Sequence, residues 1–216
     1  MLLNAFQEEP VPNDPVETAF VCALFVGYLV LWGSKRRLQK QSTGADPEVL
    51  RTDSTPLQAY FRRVLKALTL IVVTSIALHS FAPPGWGALA RVQVLSTRLT
   101  DIGGLLLGVA GLGLCLAAQI TMGNSWRVGI DSEHETKLID RGVFRWCRNP
   151  TYVGLFAMNG GLWLIWPSAL NAAYWALFLV VIEFQVRAEE EHLRRLHGQA
   201  YEEYFKRSWR YLPGVY

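Results

Sequence analysis

The chain has no Cys-x-x-Cys pair and no cluster of cysteine with histidine. Its three cysteines, Cys22, Cys115 and Cys147, lie far apart, which argues against structural zinc and leaves no metal partner to expect. Cys22 and Cys115 fall inside apolar stretches, where small buried hydrophobes are expected. The formal net charge of +3 is too small to point to nucleic acid. No internal repeat is visible. The N-terminus also lacks the basic patch of a signal peptide. The residues before the first apolar run read QEEPVPNDPVE, and the basic cluster SKRRLQK follows that run instead.

What the chain has is apolar sequence in long blocks. Hydrophobic residues make up 51% and the mean hydropathy is +0.18, both high for a soluble protein. The five blocks cover roughly residues 18–33, 64–82, 102–121, 152–166 and 171–184. A spanning helix needs about 20 apolar residues. The second and third blocks suffice and the first is marginal. The last two, split by PSALN, are short, so they span with polar-ended extensions or form a helical hairpin. The fifth extends through Arg187, whose long stem can snorkel.

The basic residues test a five-helix arrangement. Residues 1–17 contain no Lys or Arg, segment 34–63 contains seven, 83–100 two and 122–151 five. The PSALN turn contains none, and the tail from Arg187 contains six. Rich and poor loops alternate, as the positive-inside rule requires of an N-out, C-in chain with five crossings. The expected fold is therefore all-α: a polytopic helical protein whose partner is the bilayer and whose C-terminal polar blocks face the cytoplasm. Residues 1–121 form an N-terminal transmembrane region and 122–216 a second region. In the third helix Gly103, Gly104, Gly108, Gly111 and Gly113 include a GxxxG, read as a close helix contact. Residues Gln39–Thr55 read as a solvated loop.

Two polar blocks remain. Residues 122–152 carry two aromatic–basic pairs, Trp126-Arg127 and Arg145-Trp146, which read as interfacial tryptophans with positive-inside charges. A loop of about 30 residues in a compact domain tends to be functional. Asn149-Pro150 reads as an N-cap and first helical residue, so the fourth helix starts there with its dipole's positive end outward. Residues 185–216 continue the fifth helix as an amphipathic segment. Glu190–Arg194 and Glu191–Arg195 stand at i,i+4, Gly198 ends or interrupts the helix, and Tyr201 and Tyr204 share a face.

GNSW at 123–126, KLIDRGVFRWCRNPTYVG at 137–154, EEHLRRLHGQAYEEY at 190–204 and RYLP at 210–213 together resemble the isoprenylcysteine carboxyl methyltransferase family of membrane enzymes. The resemblance covers the C-terminal 95 residues or so. Each motif is weak alone; their order around a short hairpin is what makes the combination specific. It implies an S-adenosylmethionine-dependent methyltransferase acting on a lipidic or lipidated substrate that enters from the bilayer. The family's known reaction implies isoprenylcysteine carboxyl O-methylation. A phospholipid amine N-methyltransferase, an NADPH-dependent sterol-type reductase and a non-catalytic scaffold of the same fold are the alternatives.

By the same resemblance, Thr136, Lys137, Leu138, Ile139, Phe144, Asn149, Pro150, Thr151, Tyr152 and Glu189 hold the cofactor. Arg148, Arg187, Glu190 and Arg210 form the catalytic set. The chain carries Asn149 where the family usually has His, and Phe144 where it usually has Tyr. It also carries Gln185, four residues before the first Glu, where Arg is common. Asn cannot titrate as His does, and Gln cannot pair with a carboxylate as Arg does.

Overall fold

The computed structural model describes residues 14–49, 56–81, 87–129 and 137–214. Its helices are α1 (Pro15–Thr43), α2 (Pro56–Phe81), α3 (Arg98–Met122), α4 (Pro150–Ile165), α5 (Ala169–His197) and α6 (Gln199–Arg207). No strand occurs among the described residues, so the all-α expectation holds. Four of these helices, α1, α2, α3 and α5, are long and apolar enough to cross a membrane. Val26, Leu29, Leu70, Leu106, Val109, Ile120 and Val180 stay exposed along them, as side chains facing lipid would. The chain is an integral membrane protein.

The fourth apolar block is the exception in length. The 16 residues of α4 reach only about 24 Å, short of the ~30 Å hydrocarbon core. It lies in the interior, with Met158, Leu162 and Ile165 almost fully buried, and its main partner is α3. Glycine sets that approach. A Cβ on Gly111 would lie 2.5 Å from the Gly154 carbonyl oxygen, and one on Gly161 would lie 2.6 Å from that of Gly104. The seam therefore uses Gly104, Gly108 and Gly111, while Gly103 and Gly113 face open space. Its α4 half, Gly154 and Gly161, was not singled out in the sequence.

Local sequence accounts for the helix ends. Asp14 Oδ1 accepts from the Val16 N–H at 2.8 Å, ahead of Pro15. Thr97 and Thr100 form a reciprocal capping box for α3, and Ser168 Oγ accepts from the Asn171 N–H to cap α5. Gly198, at φ +52°, separates α5 from α6 as expected.

One end of the bundle gathers residues 14–17, 87–97 and 166–168. There Glu17 Oε2 accepts from Arg91 at 2.5 Å and from the Trp166 indole N–H at 3.1 Å, and the Val92 N–H bonds the Pro167 carbonyl at 2.6 Å. The other end gathers the C-terminus of α1, residues 123–129 and 137–149 and the tail after α5. The alternation of rich and poor loops thus maps onto two ends.

Several local readings need correction. Cys22 is exposed on the outer face of α1, whereas Cys115 is buried as expected. Trp126 is buried rather than interfacial, because residues 123–126 fold under α1. The expected solvated loop from Gln39 is not solvated at its start. α1 continues to Thr43, and the buried Gln39 amide donates to the Asn124 and Trp126 carbonyls at 3.0 and 2.8 Å. Pro47 is also buried and accepts from the Val128 N–H. Residues 50–55 lie outside the described residues.

Candidate functional site

The site is assembled around Glu190, a carboxylate that α5 carries into a polar environment built by three distant segments. Gly142, at φ +56°, starts a short 3-10 turn, Gly142–Arg145, and a Cβ there would press on Thr121 of α3. After α6 the chain doubles back. The Arg148 N–H bonds the Trp209 carbonyl at 2.8 Å, and the Trp209 N–H bonds the Trp146 carbonyl at 3.1 Å. That pairing delivers Arg210 to the same carboxylate that Arg148 reaches.

Glu190 Oε1 accepts from Arg148 Nε at 3.0 Å and from the Asn149 side-chain amide at 3.0 Å. Glu190 Oε2 accepts from Arg210 Nε at 3.0 Å, with Arg210 Nη2 at 2.9 Å. The side chains of Arg148, Glu190 and Arg210 are 7%, 5% and 14% exposed, so the charges are compensated by each other rather than by water. Arg148 also donates to the Ser208 carbonyl and lies 4.2 Å over the Phe205 ring. Arg210 reaches on to Glu183 at 3.2 Å, and Tyr211 donates to the same carboxylate at 2.6 Å.

This network corrects two readings. Asn149 occupies the N-cap position of α4, but its side chain makes no cap hydrogen bond; the amide turns instead to Glu190 and to the Arg210 carbonyl. Glu190 is spoken for by Arg148 and Arg210, so it does not pair with Arg194, which bonds Glu202 and Glu191. The Glu191–Arg195 pair is present at 4.0 Å.

Beside Glu190 opens a small cleft with an enclosed volume of about 90 Å³, its mouth open to solvent. That is less than the enclosed volume of most small-molecule sites, so a ligand there would extend into the open mouth. Of the residues expected at the cofactor, Lys137, Leu138, Ile139, Phe144 and Asn149 line it, with Arg148 and Glu190 from the catalytic set. Arg210 lies behind Glu190. Arg187 is exposed and bonds Glu183 at 2.7 Å, away from the cleft. Pro150, Thr151, Tyr152 and Glu189 are not among the lining residues, and Thr136 lies outside the described residues. Met122, Ser125, Leu193, Tyr201 and Tyr204 complete the lining and were not in the expected set. Two signals could have found them: Leu193 stands one turn after Glu190, and Tyr201 and Tyr204 share a helical face.

The two tyrosines differ. Tyr204 donates to the Phe144 carbonyl at 2.8 Å. Tyr201 is 1% exposed, and its hydroxyl has no hydrogen-bond partner in the protein among the described residues. Burial pushes the Tyr201 phenol well above its usual range, so it stays an O–H donor at any ordinary pH. A buried hydroxyl without a partner in a cleft points to a ligand atom.

Residues 99–200 match the family model for phospholipid methyltransferases. The protein-S-isoprenylcysteine O-methyltransferase of Mus musculus is 33% identical over 134 residues, 60% of this chain and 45% of that protein. The enzyme of that name from Saccharomyces cerevisiae is 31% identical over 114 residues, 51% of this chain and 47% of that protein. A nickel-cobalt-cadmium resistance protein, NccN, of Alcaligenes xylosoxydans xylosoxydans is 30% identical over 115 residues, 53% of each chain. Among solved structures, the eukaryotic intramembrane Ras methyltransferase ICMT aligns at a TM-score of 0.54 and 18% identity, over 91% of this chain and 68% of that one. That likeness establishes the fold. The chain spans about half the length of the curated relatives it matches.

Proposed function

We propose that this chain is an S-adenosylmethionine-dependent membrane methyltransferase whose cleft faces the cytoplasm and whose acceptor is a lipophilic or lipidated molecule entering from the bilayer. The observation that carries the reading is the cleft itself: a fixed carboxylate, an unpartnered hydroxyl and an aromatic wall in one small space. The relatives named as methyltransferases and the matching family model support the same reaction class. The basic residues on the cleft end of the bundle support its cytoplasmic side.

The residues present fit the methyl donor. Its adenine needs an apolar and aromatic surface, which Leu138, Ile139, Phe144 and Leu193 supply. Its ribose and ammonium groups need acceptors and donors. The Tyr201 hydroxyl, the Asn149 side-chain oxygen and the main chain of 137–139 supply those, beside the negative charge of Glu190. S-adenosylmethionine supplies an electrophilic methyl group on a sulfonium. The protein's part is position and electrostatics. Arg148, Arg210 and Asn149 hold Glu190 in one orientation, so that the carboxylate is ordered before the ligand arrives. Tyr204 ties α6 to Phe144 and keeps the aromatic wall in place.

Calorimetry on the purified protein in lipid nanodiscs tests this. Saturable binding of S-adenosylmethionine is expected, with no binding of NADPH. Tyr201→Phe removes a hydroxyl that nothing in the protein uses, so it leaves the fold intact and weakens binding several-fold. Absence of S-adenosylmethionine binding to the folded protein rejects the reading.

A further inference from the structure

We propose that the Asp140–Arg207 ion pair is a latch: it holds residues 137–141, one wall of the cleft, against the end of α6, and so sets how fast the methyl donor escapes. The inference rests on the methyl-transfer reading above and adds two positioning residues to it. Neither belongs to the expected cofactor or catalytic set.

Gly142 divides the wall of the cleft into two parts. The part after it is fixed. Phe144 is buried and its carbonyl accepts from Tyr204, while residues 146–148 pair with Trp209 through two main-chain hydrogen bonds. The part before it is not. Lys137, Leu138 and Ile139 line the cleft. Among the described residues, 137–141 nevertheless take part in only one main-chain hydrogen bond, from the Phe144 N–H to the Arg141 carbonyl at 3.1 Å. That bond spans Gly142 itself and anchors nothing further up the strip. Gly142, at φ +56°, is the joint between the two parts, and a residue without a Cβ turns there at low steric cost.

One side-chain bond ties the strip to the rest of the protein among the described residues. Arg207, the last residue of α6, donates to the Asp140 carboxylate across 67 residues of chain. Asp140 follows directly on the three cleft-lining residues. Arg207 lies over the Tyr204 ring, 6.0 Å from its centroid, and Tyr204 is the residue that holds the Phe144 carbonyl. The pair thus joins the loose half of the wall to the helix that already holds the fixed half.

Its exposure suits a latch better than a fold contact. The side chains of Arg207 and Asp140 are 61% and 44% exposed. Such a pair is screened by salt and adds little to global stability. It can still bias the position of a strip that has no other polar anchor, by up to about fivefold. A bond of that size opens readily enough for the donor to pass and slows its loss while closed.

The test uses the full-length protein in nanodiscs. Release of S-adenosylmethionine is timed by surface plasmon resonance for the parent, Asp140→Asn, Arg207→Gln and the double variant, at low and high salt. At low salt each single variant is expected to release the donor about two- to fivefold faster than the parent. The double variant should match the singles, because one bond is lost in all three. High salt should bring the parent up to the variants and leave the variants unchanged. Thermal midpoints should be the same throughout. A second readout needs no ligand. Arg207→Gln leaves the sequence around Arg141 intact, so tryptic cleavage after Arg141 in the ligand-free protein is expected to speed up several-fold. Parent-like release in both single variants overturns the proposal. Additive effects in the double variant, or a midpoint that falls in step with faster release, do so as well, as does unchanged cleavage after Arg141. Failure of the parent to bind S-adenosylmethionine rejects the methyl-transfer reading instead, and the cleavage rate then decides separately whether the strip is latched.

Discussion

Asn149 donates its side-chain amide to Glu190 Oε1 at 3.0 Å, across 41 residues of chain. This contact ties the start of α4 to the end of α5 and leaves the α4 N-terminus without a side-chain cap. Asn149→Ala removes that bond and the one to the Arg210 carbonyl. A loss of about 1–3 kcal/mol in stability is expected, because the acceptors left behind are buried. Thermal unfolding in detergent micelles measures it. A midpoint unchanged from the parent would show that the contact contributes nothing.

Glu190→Ala leaves two arginines facing each other in a buried site. The expected cost is about 3–5 kcal/mol, the usual penalty for stranding a buried charge. Arg148→Met with Glu190 retained is expected to cost less, since Arg210 still neutralises the carboxylate. Equal losses in the two variants would contradict the arrangement.

The α3–α4 seam predicts a contrast between neighbouring glycines. Gly111→Ala places a Cβ against the α4 backbone and is expected to destabilise by about 1–3 kcal/mol. Gly113→Ala, with open space at its Cβ, is expected to be neutral or stabilising by up to about 1 kcal/mol, from helix propensity alone. Paired thermal scans decide it, and equal effects would refute the seam.

Burial pushes the Cys147 thiol up to about 11. The thiolate is the reactive form, so at pH 8 Cys147 is almost entirely protonated and its modification by iodoacetamide is slow in the folded protein. Denaturation is expected to restore an ordinary rate. Peptide mapping after timed labelling separates Cys147 from the other two cysteines; fast native labelling of Cys147 would contradict its burial.

Asp46 ties the loop after α1 to Arg36, at 2.9 and 2.6 Å. The Arg36 hydrogen bond holds its carboxyl well below the usual carboxylate range. A depressed folded value means that the pair stabilises fully above the unfolded pKa, near 4. That stability is lost as pH falls from there through the folded value. The pair is partly exposed, so the effect is modest. Asp46→Asn is expected to lower the midpoint slightly at pH 7 and not at all once the pH is low enough to protonate Asp46. A pH-independent difference would rule out the ionic contact.

The apolar blocks made the helices legible, because a bilayer leaves the backbone few other choices. Their ends were not. α1 runs past its basic cluster because Gln39 finds carbonyl partners in residues 123–126, which no local rule anticipates. Asn149 shows the same thing at the site: its sequence position says cap, and a carboxylate on another helix takes the amide. Glu190 was visible as one of a pair, but its partners come from 42 residues before it and 20 after. Tyr201 was visible as one half of a shared face, while its empty hydroxyl depends on how the tail folds back from Gly198 to Arg210.

Methyl transfer itself is the most direct test of the account. The purified protein in nanodiscs is given S-adenosylmethionine labelled in its methyl group together with a membrane lipid extract, and the label in the organic phase is followed over time. The account predicts saturable, time-dependent label in the lipid fraction, reduced several-fold by Tyr201→Phe. No label in that fraction, from folded protein shown to bind the donor and offered extracts of several compositions, would contradict it.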